Sequence, residues 1–241
     1  MSLETLPVIQ SLWVGTQLSQ LEQLAVSSFL YNGHAFHLYV YEDVSNVPAG
    51  VEIKDANEIL DKSLIFKYID RDTYSGFSNL FRYKLLYDRG GFWVDMDIVC
   101  LRPFCFTSAY VFSTEGQHRI GNCVIRAPKG STLMRYCYET ISDRGNLKLT
   151  RWGETGPIYF REVVRKFSLA KYAVNPEVFC YIPYEKVGDI VKKSSKELFL
   201  PMPKKLKGVH FWNEGWRLRN MDKNKNYPVG CFYEELKAML L

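Results

Sequence analysis

A pair of glycines, Gly90-Gly91, separates the two most strongly patterned stretches of the chain. Ahead of it, Tyr74–Asp88 sets Phe77, Leu80, Phe81, Lys84, Leu85 and Tyr87 at helical spacing, which predicts an amphipathic helix with a wide covered face. The glycines supply the left-handed backbone on which helices commonly end. Behind it, Phe92–Met96 reads as a strand whose carboxyl end carries Asp95 and Asp97. A helix that stops on two glycines and re-enters a sheet at once commits this part of the chain to α/β layering.

The first 60 residues repeat the same alternation. A strand over Pro7–Gly15 is followed by a helix over Leu18–Leu30, with Leu21, Leu24, Ala25 and Phe29 on one stripe and Asn32-Gly33 as its stop. Ala35–Tyr41 and Val51–Ile53 read as strands, and Asp55 as the cap of a short helix over Ala56–Leu60. Further on, Ala109–Ser113 and Ile120–Arg126 are β-rich, and Ser131–Ser142 and Ile158–Phe167 read as helices. From there the pattern gives short strands and loops, with Gly208–Trp212 and then a mixed tail. At 241 residues this fits a single α/β domain with a mostly parallel sheet and helices on both faces.

With 47% hydrophobic and 24% charged residues, the chain is no disordered tail. It shows no apolar run of membrane-spanning length, and Met1–Pro7 lacks a secretory leader pattern. Its six cysteines form no C-x-x-C pair and read as buried free thiols in a reducing compartment. Charge is polarised. Residues 1–70 hold nine acids and three lysines, whereas Lys192–Lys207 holds six lysines against one glutamate, interleaved with Leu198, Phe199, Leu200 and Met202. That stretch suits an anionic membrane surface or an ordinary solvated loop; nothing resembles a nucleic-acid recognition module.

Two carboxylates two residues apart at a strand end can share one hard divalent cation, and in open α/β sheets ligands bind at that edge. Here the flank matters: Phe77-Ser-Asn-Leu-Phe-Arg82-Tyr-Lys-Leu-Leu-Tyr-Asp-Arg-Gly-Gly91-Phe-Trp-Val-Asp95-Met-Asp97. It resembles the helix, Gly-Gly, strand, Asp-x-Asp signature of glycosyltransferase family 32 and of the related clostridial glucosylating toxins. Trp13-Val-Gly15, Asn122 with Pro128-Lys-Gly130, Thr155-Gly-Pro157 and His210-Phe-Trp212-Asn-Glu-Gly-Trp216 resemble the family's other landmarks, in order.

The resemblance implies a GT-A-type, Rossmann-like half over about residues 1–126 for a nucleotide sugar and a small acceptor-side half over about 127–241. It implies retaining transfer of a hexose, most simply from a UDP-linked donor, with Mn²⁺ or Mg²⁺. The acceptor would be a saccharide or lipid-linked saccharide of bacterial surface polysaccharide or lipopolysaccharide synthesis, made at the cytoplasmic face of the membrane. By the same carry-over, Asp97, in a solvent-facing cleft, coordinates the metal; Asp95 reaches the ribose and supports the metal through water. Arg82 contacts donor phosphate or sugar, although an ion pair with Asp88 or another acid is the alternative. Asn79 departs from the family's usual aspartate at a sugar-binding position. Trp13 stacks on the base or fills the core, and Asn122 touches the donor sugar. His210 completes the metal site or simply packs, and Trp216 closes over the diphosphate on a mobile loop. Glu154 is the weak candidate for a further carboxylate; His34, His37 and His118 read as structural.

Two other classes remain. Asp95-x-Asp97-x-Val99 after an apolar strand also fits the nucleophile motif of a haloacid-dehalogenase-type phosphatase, but the later lysine-plus-acidic motif of that class is missing. A non-catalytic sugar-binding relative is left open by Asn79 and opposed by the intact Asp95/Asp97 pair.

Overall fold

The computed structural model describes residues 6–145, 147, 151–199 and 201–241, except for the side chain of His118. Met1–Thr5, part of the leader reading, Leu200 of the lysine stretch and the side chain of His118, read above as structural, lie outside what is described.

The strands are β1 (Ile9–Trp13), β2 (Phe36–Val40), β3 (Glu52–Asp55), β4 (Gly91–Val94), β5 (Ile98–Cys100), β6 (Val111–Glu115), β7 (Arg119–Ala127) and β8 (Gly208–His210). The α-helices are α1 (Gln20–Tyr31), α2 (Ser75–Asp88), α3 (Thr132–Ser142), α4 (Pro157–Lys166), α5 (Lys196–Phe199), α6 (Asn213–Leu218) and α7 (Phe232–Leu240). Six strands form one sheet in the order β3-β2-β1-β4-β7-β6, and β5 pairs with β8 in a separate two-stranded ribbon. Within the large sheet only β7 runs against the others. This is the mostly parallel α/β architecture that the alternating pattern predicts.

The sheet is covered on both faces. Phe92 and Val94 of β4 join α1, β2 and α7 in one apolar core, while Trp93 between them faces α2, α3 and α4 in the other. Strict alternation of side chains along a strand produces this split, and burial on both faces explains why Phe92-Trp93-Val94 is apolar throughout. Polar groups tie the central strands together: Gln10 Nε2 donates to the carbonyl of Gly90 at 2.8 Å, and Ser11 Oγ to that of Val94 at 2.7 Å.

α1 begins after Ser19, which forms a capping box with Glu22, so Leu18 precedes the helix. α2 ends where the glycines require: Gly90 and Gly91 have φ of +69° and +87°. Gly90 serves packing as well, because a Cβ there would lie 2.4 Å from the backbone nitrogen of Lys129. β4 stops at Val94, so Asp95 and Met96 lie in the turn after the strand, not within it. The tail read as mixed contains α7, whose Phe232, Tyr233 and Leu236 pack into the core beside α1. All six cysteines are free, but Cys105 is exposed where burial was expected.

Candidate active site

The order of the sheet places the site. β1 lies between β2 and β4, so the chain leaves β1 toward one side of the sheet and returns to β4 on the other. The carboxyl ends of strands at such a switch point border a crevice. Trp13 ends β1 and Asp95 follows β4, which brings both to this edge.

Asp95 is held from beneath. The guanidinium of Arg82 on α2 lies 2.9 Å from its Oδ1, and Trp93 Nε1 donates to the same oxygen at 2.9 Å. Arg82 also donates to the carbonyl of Asn122 at 2.5 Å and to Ser78, and lies over the Trp93 ring. It is therefore an ion pair with an acid, as the alternative reading had it, but a buried one with Asp95. Burial pushes the Asp95 carboxyl up, Arg82 pulls it down and Asp97 pushes it up again, leaving it raised to about 6.

Asp97 is only 3% exposed, not in the solvent-facing cleft expected of it. The β5–β8 ribbon is the cause: Ile98 pairs with His210, which sets His210 Nε2 3.3 Å from Asp97 Oδ2. The backbone N–H of Asn213, opening α6, donates to that oxygen at 2.5 Å. Burial alone would raise the Asp97 carboxyl, but the charge and hydrogen bond of His210 and the Asn213 N–H hold it below its ordinary range. Burial favours neutral His210, yet the Asp97 carboxylate overrides it and keeps the imidazole protonated well above its usual range. One ligand atom from each of Asp95, Asp97 and His210 lies within 4.8 Å of the other two. Two carboxylates and an imidazole form a donor set suited to Mn²⁺ or Mg²⁺, and ligation requires His210 to give up its proton. Among the described residues, the buried side-chain polar atoms without a partner are His210 Nδ1, Asn213 Oδ1 and Trp216 Nε1. All three lie on the segment that closes over Asp97, and such orphans mark a place that gains by binding or rearranging.

The other candidates divide. Asn79 and Asn122 meet inside the protein: Asn122 Nδ2 donates to Asn79 Oδ1 at 2.9 Å, and Asn79 Nδ2 to Tyr68 Oη at 3.2 Å and Thr155 Oγ1 at 3.3 Å. Both are buried, so their amides are engaged by the protein itself. Trp13 is half-buried, its Nε1 donating to the carbonyl of Gln17, and the missing side chain of Gly15 leaves room for the indole. Trp216 is fully buried between Tyr227 and Tyr233; closing over a diphosphate would require it to leave that seat. Glu154 sits on an exposed loop, 3.7 Å from Arg144. His34 bridges the carbonyl of Pro7 and the N–H of Phe104, a structural role as read. Sequence reasoning placed Thr155 in a landmark without a role for its side chain, and it missed Tyr68 and Glu22. The wholly buried Glu22 carboxylate binds Lys223 at 2.6 Å and Asn213 at 3.2 Å, clamping α6 to α1. Its only signal was the capping box, which reports a helix start and not a clamp.

Residues 19–117 match the family model described as a glycosyltransferase sugar-binding region containing a DXD motif, a segment that includes Asp95 and Asp97. That segment of the chain is similar to the Asp-x-Asp-containing sugar-binding region of glycosyltransferases. No curated protein sequence matches it. Among solved structures, the chain is similar to PaToxG glycosyltransferase, with 17% identity, a TM-score of 0.49, and 67% of this chain and 70% of that one covered. It is also similar to the apo form of the glycosyltransferase GlyE of Streptococcus pneumoniae TIGR4, with 10% identity and a TM-score of 0.46. That match covers 98% of this chain, which spans 64% of the GlyE chain.

Proposed function

We propose that this chain is a glycosyltransferase that transfers a hexose from a UDP-linked donor to a saccharide or lipid-linked saccharide acceptor of the bacterial surface, with retention at the anomeric carbon. The observation that carries the reading is the meeting of Asp95, Asp97 and His210 at the switch-point edge of the sheet. Asp97 and His210, with Asp95, would hold a Mn²⁺ or Mg²⁺ ion, which supplies positive charge against the donor diphosphate. The chain has no glycine-rich phosphate loop to do this with backbone amides. Arg82 serves by fixing the Asp95 carboxylate, and Trp13 at the end of β1 offers its indole face to the base. We assign Asn79 and Asn122 to shaping the floor beneath the donor sugar, since their amides bond to each other and to Tyr68, Tyr83 and Thr155. The division into a donor half over about 1–126 and an acceptor half over about 127–241 belongs to the same proposal.

The proposal extends to a peripheral position on the inner face of the membrane. No helix among the described residues is long and apolar enough to cross one. Lys192, Lys196 and Lys205 pair with Asp189, Glu235 and Glu177. Lys193, Lys204 and Lys207 have no acidic partner among the described residues, and Leu198 of the same stretch is 66% exposed. Free cations and an exposed apolar side chain in one stretch suit an anionic lipid surface.

Titration calorimetry with UDP and GDP in the presence of Mn²⁺ tests the core of the proposal. Binding of UDP that a chelator abolishes is the expected result; nucleotide binding undiminished by chelation would remove the metal bridge.

A further inference from the structure

Behind Asp97 lies a second group of potential ligands, formed by His210 and two cysteines that the proposed sugar transfer does not use. Cys123 Sγ on β7 and Cys180 Sγ, just after the 3₁₀ turn at Pro176–Val178, are 3.9 Å apart. One ligand atom of His210 lies within 4.8 Å of both sulfurs. All three residues are more than nine-tenths buried, and His210 Nδ1 has no hydrogen-bond partner. We propose that Cys123, Cys180 and His210 form a site for a thiophilic divalent cation, Zn²⁺ in chemical class.

The spacing carries the proposal. Two thiolates at about 2.3 Å from one tetrahedral ion stand about 3.8 Å apart, close to the separation already present. Two thiols packed as ordinary apolar groups have no reason to face each other beside a buried imidazole whose Nδ1 has no hydrogen-bond partner. The backbone holds this arrangement together. The carbonyl of Cys123 accepts from Asp95 N–H at 2.8 Å, His210 N–H donates to Phe179 at 2.9 Å, and Cys180 N–H to Pro176 at 2.7 Å. Ser113 Oγ, 3.2 Å from Cys123 Sγ, is placed to turn its hydroxyl toward the sulfur once that thiol ionises. Loading releases both thiol protons and any proton on His210, and the fourth position falls to water or the Asp97 carboxylate.

Ligand softness separates this site from the neighbouring one: sulfur selects zinc-class ions, and the Asp95/Asp97 oxygens select Mg²⁺ or Mn²⁺. His210 belongs to both groups: its Nε2 lies 3.3 Å from Asp97 Oδ2, and ligation of zinc through the partnerless Nδ1 leaves Nε2 beside the carboxylate.

Cobalt titration of the full chain tests this without reference to transfer activity. Co²⁺ should give a thiolate-to-cobalt charge-transfer band whose intensity corresponds to two sulfurs, displaced by one equivalent of Zn²⁺. The band should be lost in Cys123→Ser and Cys180→Ser and kept in Cys105→Ser, which removes the exposed thiol. As a second measurement on the unaltered chain, Zn²⁺ should raise the melting temperature by several degrees relative to chelator, by mass action. Absence of the band in the unaltered chain overturns the site. So does a band that survives Cys180→Ser, or one that disappears in Cys105→Ser.

Discussion

Arg82 and Asp95 are joined across 2.9 Å, so the helix that precedes the central strand holds the carboxylate that follows it. The arginine is buried and its fork is divided among Asp95, the Asn122 carbonyl and Ser78, above the face of Trp93. Replacement by Lys keeps the charge and loses the fork. Arg82→Lys should lower transfer by about 10- to 100-fold in a nucleotide-release assay, since a mispositioned Asp95 weakens support for the departing charge. Arg82→Ala strands a largely buried carboxylate and should cost about 3–5 kcal/mol in denaturant unfolding. Full activity in Arg82→Lys would refute the positioning role.

Asp97→Asn should cost about 100-fold or more in transfer, the scale of removing a partner of transition-state charge. The amide oxygen can still accept from Asn213 N–H, so the fold should persist, but the His210 ion pair is lost. A loss of about 1.5–3 kcal/mol is expected, read from the urea midpoint. Near-normal turnover would exclude Asp97 from the chemistry.

His210 and Asp95 set the pH dependence. With its pKa raised, His210 carries a proton at pH 7, whereas a metal-ligating nitrogen must be free of it. Mn²⁺ uptake at pH 7 should therefore release a proton, seen as a binding enthalpy that varies with the ionisation enthalpy of the buffer. Affinity should rise with pH, and it should fall further as pH drops through about 6, where Asp95 takes up its proton. Stability of the metal-free chain has the opposite sign with respect to His210. A raised pKa contributes stability that is full below the ordinary histidine value and declines as pH rises through the folded-state value. Uptake at pH 7 with no proton release would remove His210 from the ligand set.

Retention can be read directly from the product. An inverting enzyme needs a carboxylate or imidazole base for the acceptor hydroxyl, and Glu154, the weak candidate that the sequence offers, sits on an exposed loop beside Arg144. Proton NMR of the new linkage should show the anomeric configuration of the donor, and an inverted product would count against the mechanism.

The lysine stretch gives a separable outcome. Each lysine close to anionic lipid contributes about 1 kcal/mol. Changing Lys192, Lys193, Lys204 and Lys205 to Gln should sharply reduce sedimentation with phosphatidylserine vesicles. Unchanged sedimentation, or none with the unaltered chain, would refute membrane association.

Much of the framework was legible in the chain itself because it is local. The periodicity of Tyr74–Asp88, the Gly90-Gly91 stop and the apolar Phe92-Trp93-Val94 depend on neighbours within a turn or a strand, and all three recur in the fold. The same locality identified Asp95 and Asp97 as a pair at a strand end. What the tertiary structure decided is what surrounds them. The Gly208–Trp212 segment was read from the sequence but not its partner, and the pairing of β5 with β8 brings His210 to Asp97 and buries a carboxylate expected in solvent. Cys123 and Cys180 are unremarkable in sequence and become a pair only because the segment carrying Cys180, bonded to β8 through Phe179 and His210, meets β7. Periodicity records which side of an element is covered, while long-range pairing determines what covers it, and the charge and proton state of the site follow from that pairing.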